Sequence, residues 1–347
     1  MKIRKLNGFL YQTTFRCESD DLLKLLELEK FYRKKNIQSK IMTSEFSPAT
    51  NLWTKWIDNY FFSVSANSIS FLGGFSNGYS QSQRFLNTSK NIKFRVNQFF
   101  YHFKSLVRTI SGLRNDDDLV NKSYLKKQFK KIYPEKFSKD FQNLLFNQIF
   151  QSNPLIFLTH LEYFIQNKFH KSNDKKVLEI GSGSCISPAL MKYFNKDNKF
   201  VLVDLKETMM IGYCFLKFFF PELKILLPQD FSGDLNFKKF DVLFIFPNQL
   251  KLLKNGSFDL ATNCSSFQEM DIQVVNAYLN QIDRVLKQDG IFSSSNCSPS
   301  RYFSDNRYEN YKLKNFDIIS KKKLKFVETI AIMPKPYRNS LLVCKKK

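Results

Sequence analysis

Residues 177–186 constrain this chain more than any other stretch. Val177-Leu178-Glu179-Ile180 is a short apolar run that passes straight into Gly181-Ser182-Gly183-Ser184, and a helical pattern follows. A strand that ends in a glycine turn and re-enters as a helix is the opening unit of a doubly wound α/β sheet. Glycine lets the backbone double back there and approach a ligand closely. Two acids add weight to the turn. Glu179 stands just before it, where a carboxylate can meet a cationic amine. Asp204 closes the next apolar run, Phe200-Val201-Leu202-Val203. It lies about 20 residues on, where an acid can accept both ribose hydroxyls.

The pattern continues to the end of the chain. Further short apolar runs fall at 241–246, 258–261 and 290–292, and a helix over 271–287 presents Val274, Val275, Tyr278, Leu279, Ile282, Val285 and Leu286 on one face. Short buried strands alternating with helices predict a parallel sheet. Residues 325–332 and 340–344 read as two last strands, a reversed pair at the edge of the sheet. Met209-Met210 and the phenylalanines at 218–220 are expected on the core face of the helix after Asp204. The predicted fold is α/β: a Rossmann-like sheet with helices on both faces over residues 171–347, preceded by a mainly helical region over 1–170. In that first region a helix N-capped by Ser19 should carry Leu22, Leu23, Leu25, Leu26 and Leu28. Residues 46–89 read as loops and short elements, and 96–113, 141–150 and 154–169 as helical. The apolar stripes suit a cap, an acceptor-binding surface or a homodimer contact.

The turn also chooses between cofactors. A dinucleotide site wants a third glycine and a free helix N-terminus for pyrophosphate. Here Ser184-Cys185-Ile186 follows Gly183, and an acid precedes the turn. That acid is awkward beside pyrophosphate and suits the amino-acid end of S-adenosylmethionine, which carries no phosphate. A turn that binds nothing is the bland alternative.

Four segments together resemble a family. They are Glu179-Ile180-Gly181-Ser182-Gly183, Val203-Asp204-Leu205-Lys206-Glu207-Thr208-Met209, the stretch from Tyr213 to Pro221-Glu222, and Ser257 through Asp259 and Asn263 to Met270. The chain is similar to the sugar O-methyltransferases of bacterial surface-glycan clusters. The specific parts are D-L-x-E-T at 204–208 and N-x-x-S-F-x-E-M at 263–270. The resemblance covers about residues 175–296, with Trp53, Trp56 and Phe94-Arg95 as isolated points before it. Family members carry more glycine where this chain has Ser184-Cys185.

The resemblance implies a cofactor, S-adenosyl-L-methionine, and an acceptor, a sugar or glycan that is nucleotide-linked, lipid-linked or polymeric. Glu179, Gly181, Ser182 and Gly183 would line the methionine end. Asp204 would hold the ribose, with Leu205 beside the adenine. Asn248 and Gln249, after the third strand, are assigned to the adenine edge, and Asn263 to the cofactor. Ser265, Ser266, Asn296, Arg301 and Tyr302, after the fourth and fifth strands, would face the acceptor. A general base must take the hydroxyl proton. Glu269 is the first candidate and Asp271 the second, although both positions also suit carboxylates stabilised at a helix start. Glu269 with Asp271 could be half of a divalent-metal site, but no third ligand can be named, and no metal is expected.

Composition sets the outer bounds. Lys and Arg total 54 against 31 acids, a formal charge of +23. Such a field attracts anions, yet no RNP, finger or homeodomain pattern accompanies it, so no stable nucleic-acid complex is expected. The lysine runs at 126–131, 321–325 and 345–347 read as solvated surface. An RNA or small-molecule methyltransferase, and a cofactor-binding module without catalysis, remain the alternatives. The six cysteines show no C-x-x-C pair, which fits reduced thiols in the cytoplasm. His160 is expected to be a structural core histidine, with weaker cases for His102 and His170. No apolar run approaches the roughly 20 residues of a membrane span.

Overall fold

The computed structural model describes residues 12–47, 61–65, 67–72, 160, 162–300, 303–324 and 339–347. Its centre is an eight-stranded sheet in the order β10-β11-β9-β8-β4-β5-β7-β6. The strands are β4 (Lys176–Ile180), β5 (Lys199–Val203), β6 (Ile225–Leu226), β7 (Val242–Ile245), β8 (Phe258–Cys264), β9 (Leu286–Cys297), β10 (Phe316–Lys323) and β11 (Asn339–Lys346). From β6 to β9 every pairing is parallel, and β11 runs antiparallel between β9 and β10. The buried runs of β4, β5 and β7 have apolar side chains on both faces, as a sheet covered by helices requires. The reversed strand at the edge is the arrangement expected of a Rossmann-like class I methyltransferase sheet, and the fold is of that class.

Two hydrophobic cores flank the sheet. One holds α3 (Ile186–Phe194) and α4 (Lys206–Phe219). The other holds α5 (Ile272–Val285) and the 3-10 turns after β7 and β8. The strand order reverses at β4. The chain therefore leaves β4 and β5 towards one face and β7 and β8 towards the other, which opens a crevice at their carboxyl ends.

The described N-terminal elements pack on this domain. They are β1 (Gln12–Arg16), α1 (Ser19–Lys34), α2 (Ile37–Met42), β2 (Phe61–Ser65) and β3 (Ser68–Leu72). β1, β2 and β3 form an antiparallel sheet in the order β1-β3-β2, which the sequence pattern did not order. Helix α1 lies on α4: Lys206 donates to Glu29 at 2.6 Å and Tyr213 donates to Asp21 at 2.5 Å. Leu22, Leu25, Leu28 and Tyr32 enter the same core as α3 and α4. Helix α2 lies against the turn after β7, and Phe46 reaches Tyr278 of α5 with ring centroids 4.9 Å apart. Residues 17–47 thus bridge both faces of the sheet.

Several sequence expectations need correction. Ser19 is the first residue of α1 rather than its cap; Glu18 holds that position without a side-chain bond. Leu23 is 56% exposed, because the buried stripe passes through Leu22 and Leu25. Phe218 is 54% exposed, so only part of the phenylalanine run faces the core. Helix α5 ends at Val285 and β9 begins immediately at Leu286. Among the described residues Phe316–Lys323 forms a strand that the sequence pattern did not single out, and the strand expected at 325–332 falls outside the described residues. Most of the helices expected at 96–113, 141–150 and 154–169 also fall outside, as do Trp53, Trp56, Phe94-Arg95 and His102. Among the described residues no helix is long and apolar enough to cross a membrane.

Candidate functional site

The glycine turn is built from left-handed residues at alternate positions: Gly181 at φ 68°, Gly183 at φ 52° and Cys185 at φ 61°. Gly181 is further restricted by the chain crossing it. A Cβ at that position would lie 2.1 Å from Ser266 Oγ. At Gly183 a Cβ would meet nothing within 4 Å, so this residue faces open space. Three N–H groups of the turn are spent inside the protein. Gly181 N donates to Val203 O, Gly183 N to Asp204 Oδ2 and Cys185 N to Ser182 O. A pyrophosphate cradle needs such groups free. The third glycine missing from the turn has a counterpart in α4. A Cβ on Gly212 would lie 2.5 Å from Cys185 Sγ and 3.0 Å from Gly183 O.

Glu179 and Asp204 stand side by side beneath the turn with opposite surroundings. Glu179 is 1% exposed, and neither carboxylate oxygen has a hydrogen-bond partner. Burial first, and then the charge of Asp204, push its carboxyl well above the ordinary range. Asp204 is buried but held on all sides. Oδ1 accepts from Leu205 N at 2.7 Å and Thr208 Oγ1 at 2.5 Å; Oδ2 accepts from Gly183 N at 2.6 Å and Ser182 Oγ at 3.5 Å. Burial raises its pKa and these donors oppose the rise. The long Ser182 contact is the one a ribose diol would most readily replace. Thr208 had no assigned role in the sequence; its place in the D-L-x-E-T segment was the available signal.

After β7, Asn248 and Gln249 part ways. Gln249 is bound into the fold: Phe246 N donates to its Oε1 at 2.9 Å and its Nε2 donates to Pro228 O at 3.0 Å. Asn248 keeps a buried carbonyl oxygen with no partner. Leu205 and Phe246 are buried apolar neighbours at the ends of β5 and β7.

The residues after β8 and β9 form a polar network. Asn263 Nδ2 donates to Ile180 O at 2.8 Å and to Ser266 Oγ at 2.5 Å, while its Oδ1 accepts from Asn296 Nδ2 at 2.7 Å. Ser266 Oγ also donates to Ile180 O at 3.1 Å. Asn296 Oδ1 accepts from Gln268 N, and Asn296 N donates to Tyr308 Oη at 3.0 Å. These groups tie β4, β8 and β9 together. Ser265 holds φ 65° between them and is half-buried. Glu269 ends the 3-10 turn Phe267–Glu269, half-buried beside the network. Asp271 is exposed and caps α5, accepting from Gln273 N at 2.9 Å. Arg301 and Tyr302 lie outside the described residues. Tyr308, which the sequence did not single out, anchors this end: its hydroxyl donates to Ser340 O at 2.5 Å. The cluster Tyr302, Phe303, Tyr308 and Tyr311 after the fifth strand was its only sequence signal. Among the described residues no three His, Cys, Asp or Glu side chains group as metal ligands.

His160 is a buried core group. Its Nδ1 lies 2.7 Å from Ser187 Oγ, and burial pulls its pKa down to about 4.

No family model matches the chain, and no curated protein matches its sequence. Among solved structures it is similar to the N-methyltransferase NodS from Bradyrhizobium japonicum, solved with S-adenosyl-L-homocysteine. That pair shares 10% identity over 63% of this chain and 97% of NodS, with a TM-score of 0.41. A SAM-dependent methyltransferase from Aquifex aeolicus matches at 10% identity over 54% of this chain and 89% of its own, with a TM-score of 0.38. A TehB-like SAM-dependent methyltransferase from Corynebacterium glutamicum matches at 15% identity, 54% and 87% coverage, and a TM-score of 0.36. At these levels function has to be read from the site itself.

Proposed function

We propose that this chain is an S-adenosylmethionine-dependent O-methyltransferase that acts on a sugar hydroxyl in glycan biosynthesis. One observation carries the cofactor assignment: a fully buried carboxylate, Glu179, has no partner in the protein and borders a glycine turn that opens at Gly183. A buried charge without a partner is costly. It is retained where a ligand supplies the counter-charge, and the ammonium of an amino acid does so.

Each residue then has a defined task. Glu179 binds the amino-acid end. Asp204, fixed by Leu205 N and Thr208, accepts the ribose hydroxyls in place of Ser182. The free carbonyl of Asn248 accepts from the adenine amine, and Leu205 and Phe246 supply apolar walls. The bound cofactor supplies an activated methyl group on a sulfonium. The Asn263–Asn296 network holds the rim rigid for the acceptor, and Ser265 and Ser266 border the place where it enters. Glu269, half-buried at the end of the turn after β8 and beside the network, is the base that takes the hydroxyl proton, a role worth about 10²–10⁴-fold in rate. Alignment of acceptor and methyl group supplies the larger share. The N-terminal region over 1–170 serves as a cap in a cytoplasmic enzyme. Its contacts at Lys206 and Tyr213 fix the helix that follows the ribose acid.

Calorimetric titration of S-adenosylhomocysteine into the wild type and Asp204→Ala tests the assignment. Micromolar binding that weakens about 100-fold or more in the variant is expected. A well-folded wild type that binds neither this ligand nor S-adenosylmethionine would overturn it. With labelled cofactor, methyl transfer to RNA or protein but to no glycan acceptor would overturn the sugar assignment alone.

A further inference from the structure

The carboxyl rim of the sheet continues past the methyl-transfer end. Beyond β9 it opens into a cavity of about 490 Å³. Its floor is Tyr308 and Ser340, joined by the hydrogen bond that ends the Asn263–Asn296 network. Its walls carry Arg307, Lys321, Lys322 and Lys323. The single carboxylate among the lining residues is Glu309, which pairs with Lys321. Four cations against one anion leave three positive charges in one concavity, which concentrates anionic ligands. The volume suits a small-molecule group.

Position gives the cavity its meaning. Ser298 and Pro299 line it directly after β9, and Lys323 is the last residue of β10. The cavity therefore lies on the same rim as Gly181 and Asp204. It is two to four strand spacings from β4, roughly 10–19 Å. A lone sugar ring at the methyl-transfer end would leave it unused.

We propose that this cavity is an anion-binding subsite for the pyrophosphate of the acceptor, so that the sugar is methylated while attached to a carrier. The proposal rests on the methyl-transfer reading above. Arg307 donates to Ser304 O through Nε and Nη2, and Lys322 Nζ donates to Gln166 Oε1, so Lys323 and the remaining N–H groups of Arg307 are the donors offered to the phosphate oxygens, with Lys321 adding its charge beside Glu309. A nucleoside diphosphate and a lipid pyrophosphate share this chemistry.

The test uses the full chain, titrated with inorganic pyrophosphate, uridine diphosphate and S-adenosylhomocysteine. Three proteins are compared: wild type, Arg307→Gln/Lys323→Gln, and a control, Lys238→Gln/Lys254→Gln, whose exposed lysines lie at the opposite rim before β7 and β8. Pyrophosphate should bind the wild type at millimolar strength or better. It should weaken about tenfold or more in the rim variant and hold steady in the control. Tighter binding of uridine diphosphate than of pyrophosphate supports the subsite with a nucleotide carrier. Equal binding supports it with a lipid pyrophosphate carrier. No pyrophosphate binding, or an equal loss in both variants, overturns it. So does an RNA oligomer that binds the rim and is not displaced by pyrophosphate. Loss of S-adenosylhomocysteine binding alone, with the pyrophosphate results as expected, sinks the methyl-transfer reading and leaves the subsite standing.

Discussion

At the β4–β5 end of the rim, Glu179 is 1% exposed and neither of its oxygens is bonded. On the neighbouring strand β8, Asn263 is 0% exposed and its amide is committed to Ile180, Ser266 and Asn296. Both are buried polar side chains at the carboxyl ends of adjacent strands. One is satisfied by the fold and the other is not. Buried polar groups are almost always paired, so an unpaired acid marks a place where something outside the fold completes the bonding. The satisfied amide marks scaffold. The comparison teaches how to divide the rim: the orphaned atoms of Glu179 and Asn248 belong to ligand binding, and the Asn263–Asn296 network belongs to the geometry that holds them.

The largest expected effect falls on the satisfied side. Asn263→Ala removes the buried hydrogen bonds to Ile180 O, Ser266 Oγ and Asn296 Nδ2, leaving Ser266 as the side-chain partner of the Ile180 carbonyl and Ser294 as that of the Asn296 amide. Each lost hydrogen bond contributes about 0.5–1.5 kcal/mol, so a total loss of about 2–4 kcal/mol is expected in urea denaturation. A loss below about 1 kcal/mol, accompanied by weaker S-adenosylhomocysteine binding, would break the division and return Asn263 to the cofactor. Next comes the packing of the turn itself. Gly212→Ala pushes a methyl group to 2.5 Å from Cys185 Sγ. Overpacking should cost about 1–3 kcal/mol. It should also weaken cofactor binding, because the same methyl group presses on the Gly183 carbonyl at 3.0 Å. Cys185→Ala in the same chain removes the sulfur and should recover much of the loss. A double variant no better than Gly212→Ala would show that the sulfur contact is not the cause.

The sheet was legible because parallel strands covered on both faces read as unbroken apolar runs, as at 177–180 and 200–203. Glu179 and Asp204 were legible for the same reason, since polar residues at the ends of such runs stand out. Their difference was not. Whether an acid finds donors depends on Thr208 and the turn amides, which only the folded chain brings together. Asn263 and Asn296 stood out equally as polar residues after strands. The network that absorbs them closes between residues 33 positions apart. Gly212 carried no local signal, because its reason for being glycine is a sulfur on another helix. The three-stranded sheet near the N-terminus was hidden because its strands are only five residues long; Ser68-Ile69-Ser70-Phe71 alternates, but over too short a run to stand out from the surrounding polar segment. The Asp271 cap was read from its own neighbours, because capping is a local matter.

The smallest expected effect has the most telling sign. A carboxyl with a higher pKa in the folded than in the unfolded state keeps its proton longer when native. Stability in the ligand-free protein is then present below the unfolded value of about 4.5 and is lost as pH rises towards the native one. Glu179→Gln removes that titration. The ligand-free variant should be more stable than the wild type at neutral pH by about 1–2 kcal/mol, with a flatter dependence on pH. S-adenosylhomocysteine should bind it about tenfold or more weakly, since the ammonium loses its counter-charge. The wild type should also release protons when that ammonium arrives, which appears as a binding heat that varies with the buffer. Stabilisation combined with lost binding is what an acid kept for a ligand predicts. A Gln variant less stable than the wild type at neutral pH would mean that the carboxylate is bonded within the fold, and Glu179 would join Asn263 as scaffold.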